Sequence, residues 1–185
     1  MRSWNRAARA GFWEFVQNLP LVAGLLLGLD AWRAGTWGLA VVWMVGGSAA
    51  GSLMIWATES KMVEGHREPL RAVLVNVAVM AVLMWVVVLY LAAGWSRWWT
   101  DLLVGAAVGS GLGIAQDLAA GSSIGLRHSA AFALAFALGL VGVRLAVAGL
   151  SPVLAILAVT LVVTVAITLL DYGPSLVARD GSLSR

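Results

Sequence analysis

Six stretches of this 185-residue chain each run for about twenty positions with almost no charge, and short polar or glycine-bearing segments separate them. The hydrocarbon core of a bilayer is about 30 Å thick and a helix rises about 1.5 Å per residue, so about 20 apolar residues cross it. In lipid the backbone must satisfy its own hydrogen bonds, and runs of this length therefore form helices. The sequence predicts an all-α, polytopic membrane protein: a compact bundle of six transmembrane helices over residues 15–32, 37–57, 70–94, 101–120, 129–149 and 153–172. Residues 1–14 read as an interfacial segment, with arginines toward water and Trp4, Ala8, Phe12 and Phe15 toward lipid. Residues 173–185 read as a tail. The whole chain is one membrane domain.

Composition agrees. Apolar residues make up 61% and charged residues 11% of the chain, where a soluble domain carries about a quarter charged, so lipid must cover most of the surface. Local chemistry marks several boundaries. Thr36 is placed to cap the second helix, Pro69 suits the first turn of the third, and Thr100 precedes Asp101 at the fourth. Ser151 followed by Pro152 reads as a cap with proline at the first helical position. The arginines near the N-terminus superficially resemble a signal peptide, but no small-residue cleavage site follows them and the segment is read as retained.

Lysine and arginine give the orientation, because cytoplasmic loops keep an excess of them. Nine fall on one side (Arg2, Arg6, Arg9, Lys61, Arg67, Arg71, Arg127, Arg179, Arg185) and three on the other (Arg33, Arg97, Arg144). Both termini are therefore expected to be cytoplasmic, in the plasma (inner) membrane. Trp95, Trp98 and Trp99 form an anchor at the outer interface.

The fourth helix carries Gly105, Gly109 and Gly113 at four-residue spacing, which lets a second backbone approach closely. Gly24 and Gly28, and Gly47 and Gly51, repeat the pattern in the first two helices. A loose internal similarity fits either two-helix units repeated in parallel or an inverted pair of three-helix halves.

Charged groups near a bilayer are functional candidates because burying them is costly. Glu59, Asp117 and Asp171 lie at the cytoplasmic ends of the second, fourth and sixth spans, where the helix dipole calls for nearby positive charge. Arg127 and His128 can supply it, and Gln116 adjoins Asp117. These six residues are the candidate substrate- or ion-binding group, with Asp117 and Gln116 foremost. On the opposite side Asp30 and Arg33 are expected to pair, and Arg144 to snorkel to the interface. Gln17, Asn18 and Asn76 are uncharged polar residues suited to lining a cavity.

Several chemistries are excluded or disfavoured. There is no cysteine, so thiol, disulfide and iron–sulfur chemistry are absent. The only lysine, Lys61, lies in a loop, which removes a retinal Schiff base. Gly121, Ser123 and Gly125 match a serine-hydrolase elbow by pattern, but between membrane helices rather than after a strand. His66 and His128 lack a third convergent metal ligand. No potassium-filter sequence, voltage-sensor arginine ladder or long basic run is present, and neither a cofactor nor a nucleic-acid partner is expected. The expectation is a small-solute or ion transport protein, or the membrane-embedded substrate-binding component of one. A non-catalytic assembly subunit, working with a partner membrane protein or as a homo-oligomer, is the alternative. An intramembrane enzyme acting on lipid is a second.

Overall fold

The computed structural model describes residues 2–62, 70–94, 97–119 and 125–172. It consists of α1 (Arg2–Arg33), α2 (Trp37–Met62), α3 (Leu70–Ala92), α4 (Trp98–Ala119), α5 (Leu126–Gly149) and α6 (Pro152–Ile167), the last running on into a π-helical turn at Thr168–Tyr172. No strand occurs among the described residues. Among the described residues five stretches are long and apolar enough to cross a membrane: Ala8–Arg33, Trp37–Ala57, Val73–Ala92, His128–Gly149 and Pro152–Leu170; α4 is not one of them.

Sharp reversals need backbone that only glycine adopts cheaply. Gly35 (φ +75°) and Gly94 (φ +72°) end α1 and α3 in this way. At the first of them the Thr36 hydroxyl donates to Ala31 O at 2.9 Å, so it closes the end of α1 instead of capping α2. Pro152 takes the first position of α6 as expected, whereas the Ser151 hydroxyl makes no capping bond. Pro69 and Trp95 lie outside the described residues.

α1 is one continuous helix, and the interfacial segment expected at its start is not set off from the span. At Gly11, the weakest helix former there, an added Cβ would sit at ordinary contact distance, 3.7 Å, from the Thr168 hydroxyl, so the start of α1 lies beside the end of α6. Pro20 lies inside the helix, where it removes one backbone donor.

Glycines set the two closest helix pairs. A Cβ on Gly24 would come within 2.7 Å of Trp43 O and 2.9 Å of Gly47 Cα, which locks α1 to α2. A Cβ on Gly105 would come within 2.6 Å of Ala137 Cα, one on Gly109 would run into the Phe132 backbone, and one on Gly113 would come within 2.9 Å of Ser129 Cα, which locks α4 to α5 along its length. α6 packs between α5 and α1, α3 reaches α2 and α4, and α1 and α5 scarcely touch. The two locked pairs are thus α1 with α2 and α4 with α5.

Packing across the pairs is ordinary and apolar. Leu29, Met44, Val88, Leu112 and Val143 are fully buried. Trp32 stacks on Trp37 at 5.7 Å and meets Trp85 edge-on at 5.2 Å, tying α1, α2 and α3 together beside the α1–α2 turn. Below, the end of the fold where α4 begins is called the Asp101 end, and the opposite end, where α1 begins, the N-terminal end.

Candidate functional site

At the N-terminal end the structure brings part of the sequence-derived group together. Asp117 Oδ2 accepts the Gly125 backbone N–H at 2.8 Å, which ties the last turn of α4 to the start of α5. A Cβ on Gly125 would lie 3.5 Å from both Asp117 Oδ2 and His128 Cβ, so the two side chains flank that glycine. The His128 ring lies 4.7 Å from the ring of Phe132, and Gln116 is half-buried beside Asp117. The Glu59, Asp171 and Arg127 side chains lie outside the described residues, as do His66 and the serine-bearing loop 120–124. Among the described residues no group of three His, Asp or Glu side chains is arranged to hold a metal ion.

The deeper feature is a cavity of about 70 Å³ in the middle of the fold, walled by five of the six helices. Leu25 of α1, Met84 of α3, Gly105 of α4, Val143 of α5 and Val159 of α6 show its character, and Asn18 is the one polar side chain on its wall. It forms because α1 and α5 are each held by their own glycine partner and face each other without meeting.

Beyond Asn18, toward the N-terminal end, lie further buried polar side chains that do not themselves line the cavity. Asn18 Nδ2, Asn76 Oδ1 and Thr164 Oγ1 are buried and make no hydrogen bond. Asn76 sits one turn from Met80 on the stripe of α3 that lines the cavity, and Thr164 adjoins Val163, which lines it from α6. Thr168, one turn beyond Thr164, lies beside Gly11, so this stripe of α6 faces the start of α1. Glu14, one turn below Asn18, and Gln17 are also buried. Each unpaired buried polar atom costs about 1–3 kcal/mol unless water or a ligand satisfies it. Ser52, Ser129 and Thr168 bury unpaired hydroxyls elsewhere among the described residues.

Of Gln17, Asn18 and Asn76, which the sequence suits to lining a cavity, Asn18 lies on the wall and the other two are buried, as are Glu14 and Thr164, which the sequence did not single out. Glu14 was expected at the membrane surface, in a segment that turns out to continue α1 inward. Thr164 carries no periodic signal among the β-branched residues of α6.

A second buried polar group lies at the Asp101 end. Asp101 is wholly buried, and its Oδ1 accepts the Tyr90 hydroxyl at 2.9 Å. Its Oδ2 accepts Arg144 Nη1 at 3.2 Å. The Tyr90 oxygen also lies 2.6 Å from Thr100 Oγ1, and Thr100 in turn accepts the Arg97 backbone N–H at 2.8 Å, closing the first turn of α4. α3, α4 and α5 are thereby fastened at one point. The Arg144 side chain is 40% exposed and also reaches the carboxylate of the neighbouring helix, a partner not expected from the sequence. Asp30 and Arg33, expected to pair, form no ion pair among the described residues; both are exposed beside a second cavity of about 170 Å³.

No family model matches the sequence, and comparison with curated proteins and with solved structures likewise gives no match.

Proposed function

We propose that this protein moves a small solute across a cell membrane, or is the membrane-embedded solute-binding component of a machine that does. The observation that carries this reading is the central cavity, with unpaired Asn18 on its wall and unpaired Asn76 and Thr164 beyond it. An apolar chamber with a donor (Asn18 Nδ2) on its wall and an acceptor (Asn76 Oδ1) beyond it complements an uncharged molecule with an amide or hydroxyl head and a short apolar body. An ion is disfavoured, because no charged side chain lines the chamber to offset the loss of hydration.

In this reading α4 also crosses the bilayer, since it packs against α5 along its whole length. Both termini lie on the cytoplasmic side, as the distribution of arginine favours. Asp117, Gln116 and His128 stand on the cytoplasmic side in this reading, near where solute would leave the chamber, and Glu59, Asp171 and Arg127 are kept as candidates for that side on sequence alone.

The test is stopped-flow light scattering of proteoliposomes challenged with acetamide, propylene glycol or potassium chloride. Acetamide or propylene glycol should equilibrate severalfold faster than in protein-free liposomes, and Asn18→Leu should return the rate to the protein-free value. Potassium chloride should show no acceleration. Rates equal to protein-free liposomes for both neutral solutes would count against transport by this chain alone. Native mass spectrometry would then show whether a partner subunit accompanies it in fixed ratio.

A further inference from the structure

The second cavity shares three helices with the first, and the correspondence is regular. Leu25 of α1, Val143 of α5 and Val159 of α6 line the central cavity; Leu29, Val147 and Ala155 line the one at the Asp101 end. On every helix the step between them is four residues toward the same end, about one turn along one face. The cavities are therefore stacked in a single seam between α1 and α5, with α6 as its third wall.

The partition between them is made of side chains. Leu29, Val143, Val159 and Ala155 are each no more than 3% exposed and fill about one turn of height. α1 is drawn toward α2 by Gly24 and Gly47, and α5 toward α4 by Gly105, Gly109 and Gly113 of α4, which leaves α1 and α5 apart across the seam. At the mouth stand Asp30 and Arg33, opposite charges not paired with each other, which keep that end wet.

We infer that this seam is the route of a small uncharged solute, with the Asp30–Arg33 cavity as its outer vestibule and the Leu29 layer as the barrier above the binding chamber. The inference rests on the transport reading for its purpose but not for its test. An apolar seam admits a neutral molecule and rejects an ion of the same size, since the ion would shed its hydration with no charge to replace it. The central volume is about half the roughly 150 Å³ that accommodates benzene in an engineered cavity, which limits the solute to a few heavy atoms. Flexible Met80 and Met84 side chains let the wall adjust around it.

The sequence contains no cysteine, so single cysteines report on the seam without background. The measurement is the rate of modification of Leu25→Cys, Val143→Cys and Arg33→Cys in the full chain in liposomes. The probes are neutral methyl methanethiosulfonate and its charged trimethylammonium analogue. The thiolate is the reacting form and needs water, which a solute-conducting seam brings to Leu25→Cys and Val143→Cys but lipid does not bring to Leu53→Cys, so the neutral probe should modify the first two about tenfold faster. The charged probe should reach Arg33→Cys and stop there. Adding Leu29→Ala to Leu25→Cys should raise the neutral probe's rate severalfold.

Rates at Leu25→Cys and Val143→Cys no higher than at Leu53→Cys would overturn the seam, and testing both helices guards against one variant misfolding. Fast modification without solute flux would keep the seam and remove the transport reading. Flux without modification would do the reverse.

Discussion

The two buried polar regions of this protein are built on opposite principles. At the Asp101 end the buried carboxylate is met on both oxygens, by the Tyr90 hydroxyl and the Arg144 guanidinium, from two other helices. At and beyond the N-terminal side of the central cavity Asn18, Asn76 and Thr164 each bury a polar atom with no partner. A satisfied group holds helices together, whereas an unsatisfied one lowers stability unless water or a ligand completes it. The proposed function rests on that difference: one region fastens, and the other is the one proposed to bind.

The comparison breaks most visibly at Arg144. Arg144→Leu strands a fully buried carboxylate and should cost about 3–5 kcal/mol, read from unfolding of the detergent-solubilised protein. The double variant Asp101→Leu with Arg144→Leu should recover most of that loss, because the cost lies in the unpaired charge rather than in the pair. A double variant as unstable as the single one would show that the network's shape matters more than its charge balance.

The frame that carries both regions is the α4–α5 contact. Gly109→Val would push a side chain into the Phe132 backbone, and the helices must part at a cost of about 1–3 kcal/mol. Gly111, on the same helix with nothing within 4 Å, gives the control: Gly111→Ala should be neutral or gain up to about 1 kcal/mol from helix propensity. Equal losses at the two positions would mean that the close approach does not hold α4 to α5. Tyr90→Phe removes one donor from the buried carboxylate and leaves Arg144 in place, so a smaller loss of about 1–2 kcal/mol is expected by the same unfolding measurement.

The helices were legible because apolar length is a direct consequence of bilayer thickness, and the spacing of Gly105, Gly109 and Gly113 announced a close contact. Which helix fills it was not legible: spacing describes one surface, and the match to Ser129, Ala133 and Ala137 is settled only by the turn between α4 and α5. Asp101 and Arg144 were each explained locally, one as a helix start and the other as a snorkelling cation. They stand 43 residues apart, and the available signal was that an acid opening the fourth span and a base late in the fifth share one depth. The buried polar side chains at and beyond Asn18 were half legible. Gln17, Asn18 and Asn76 stand out in apolar runs, while Glu14 was hidden by the expectation of a break that the chain, lacking a strong breaker before Pro20, does not make.

The central claim is that the unpaired side chains at and beyond Asn18 give up stability in order to hold a solute, and Asn76→Leu tests it most directly when unfolding and solute flux are measured on the same preparation. The account predicts a protein as stable as the parent or up to about 1 kcal/mol more stable, because no hydrogen bond is lost, with acetamide or propylene glycol flux reduced to the protein-free rate. A variant destabilised as much as Tyr90→Phe, with flux unchanged, would contradict it and make Asn76 a structural residue like those at the Asp101 end.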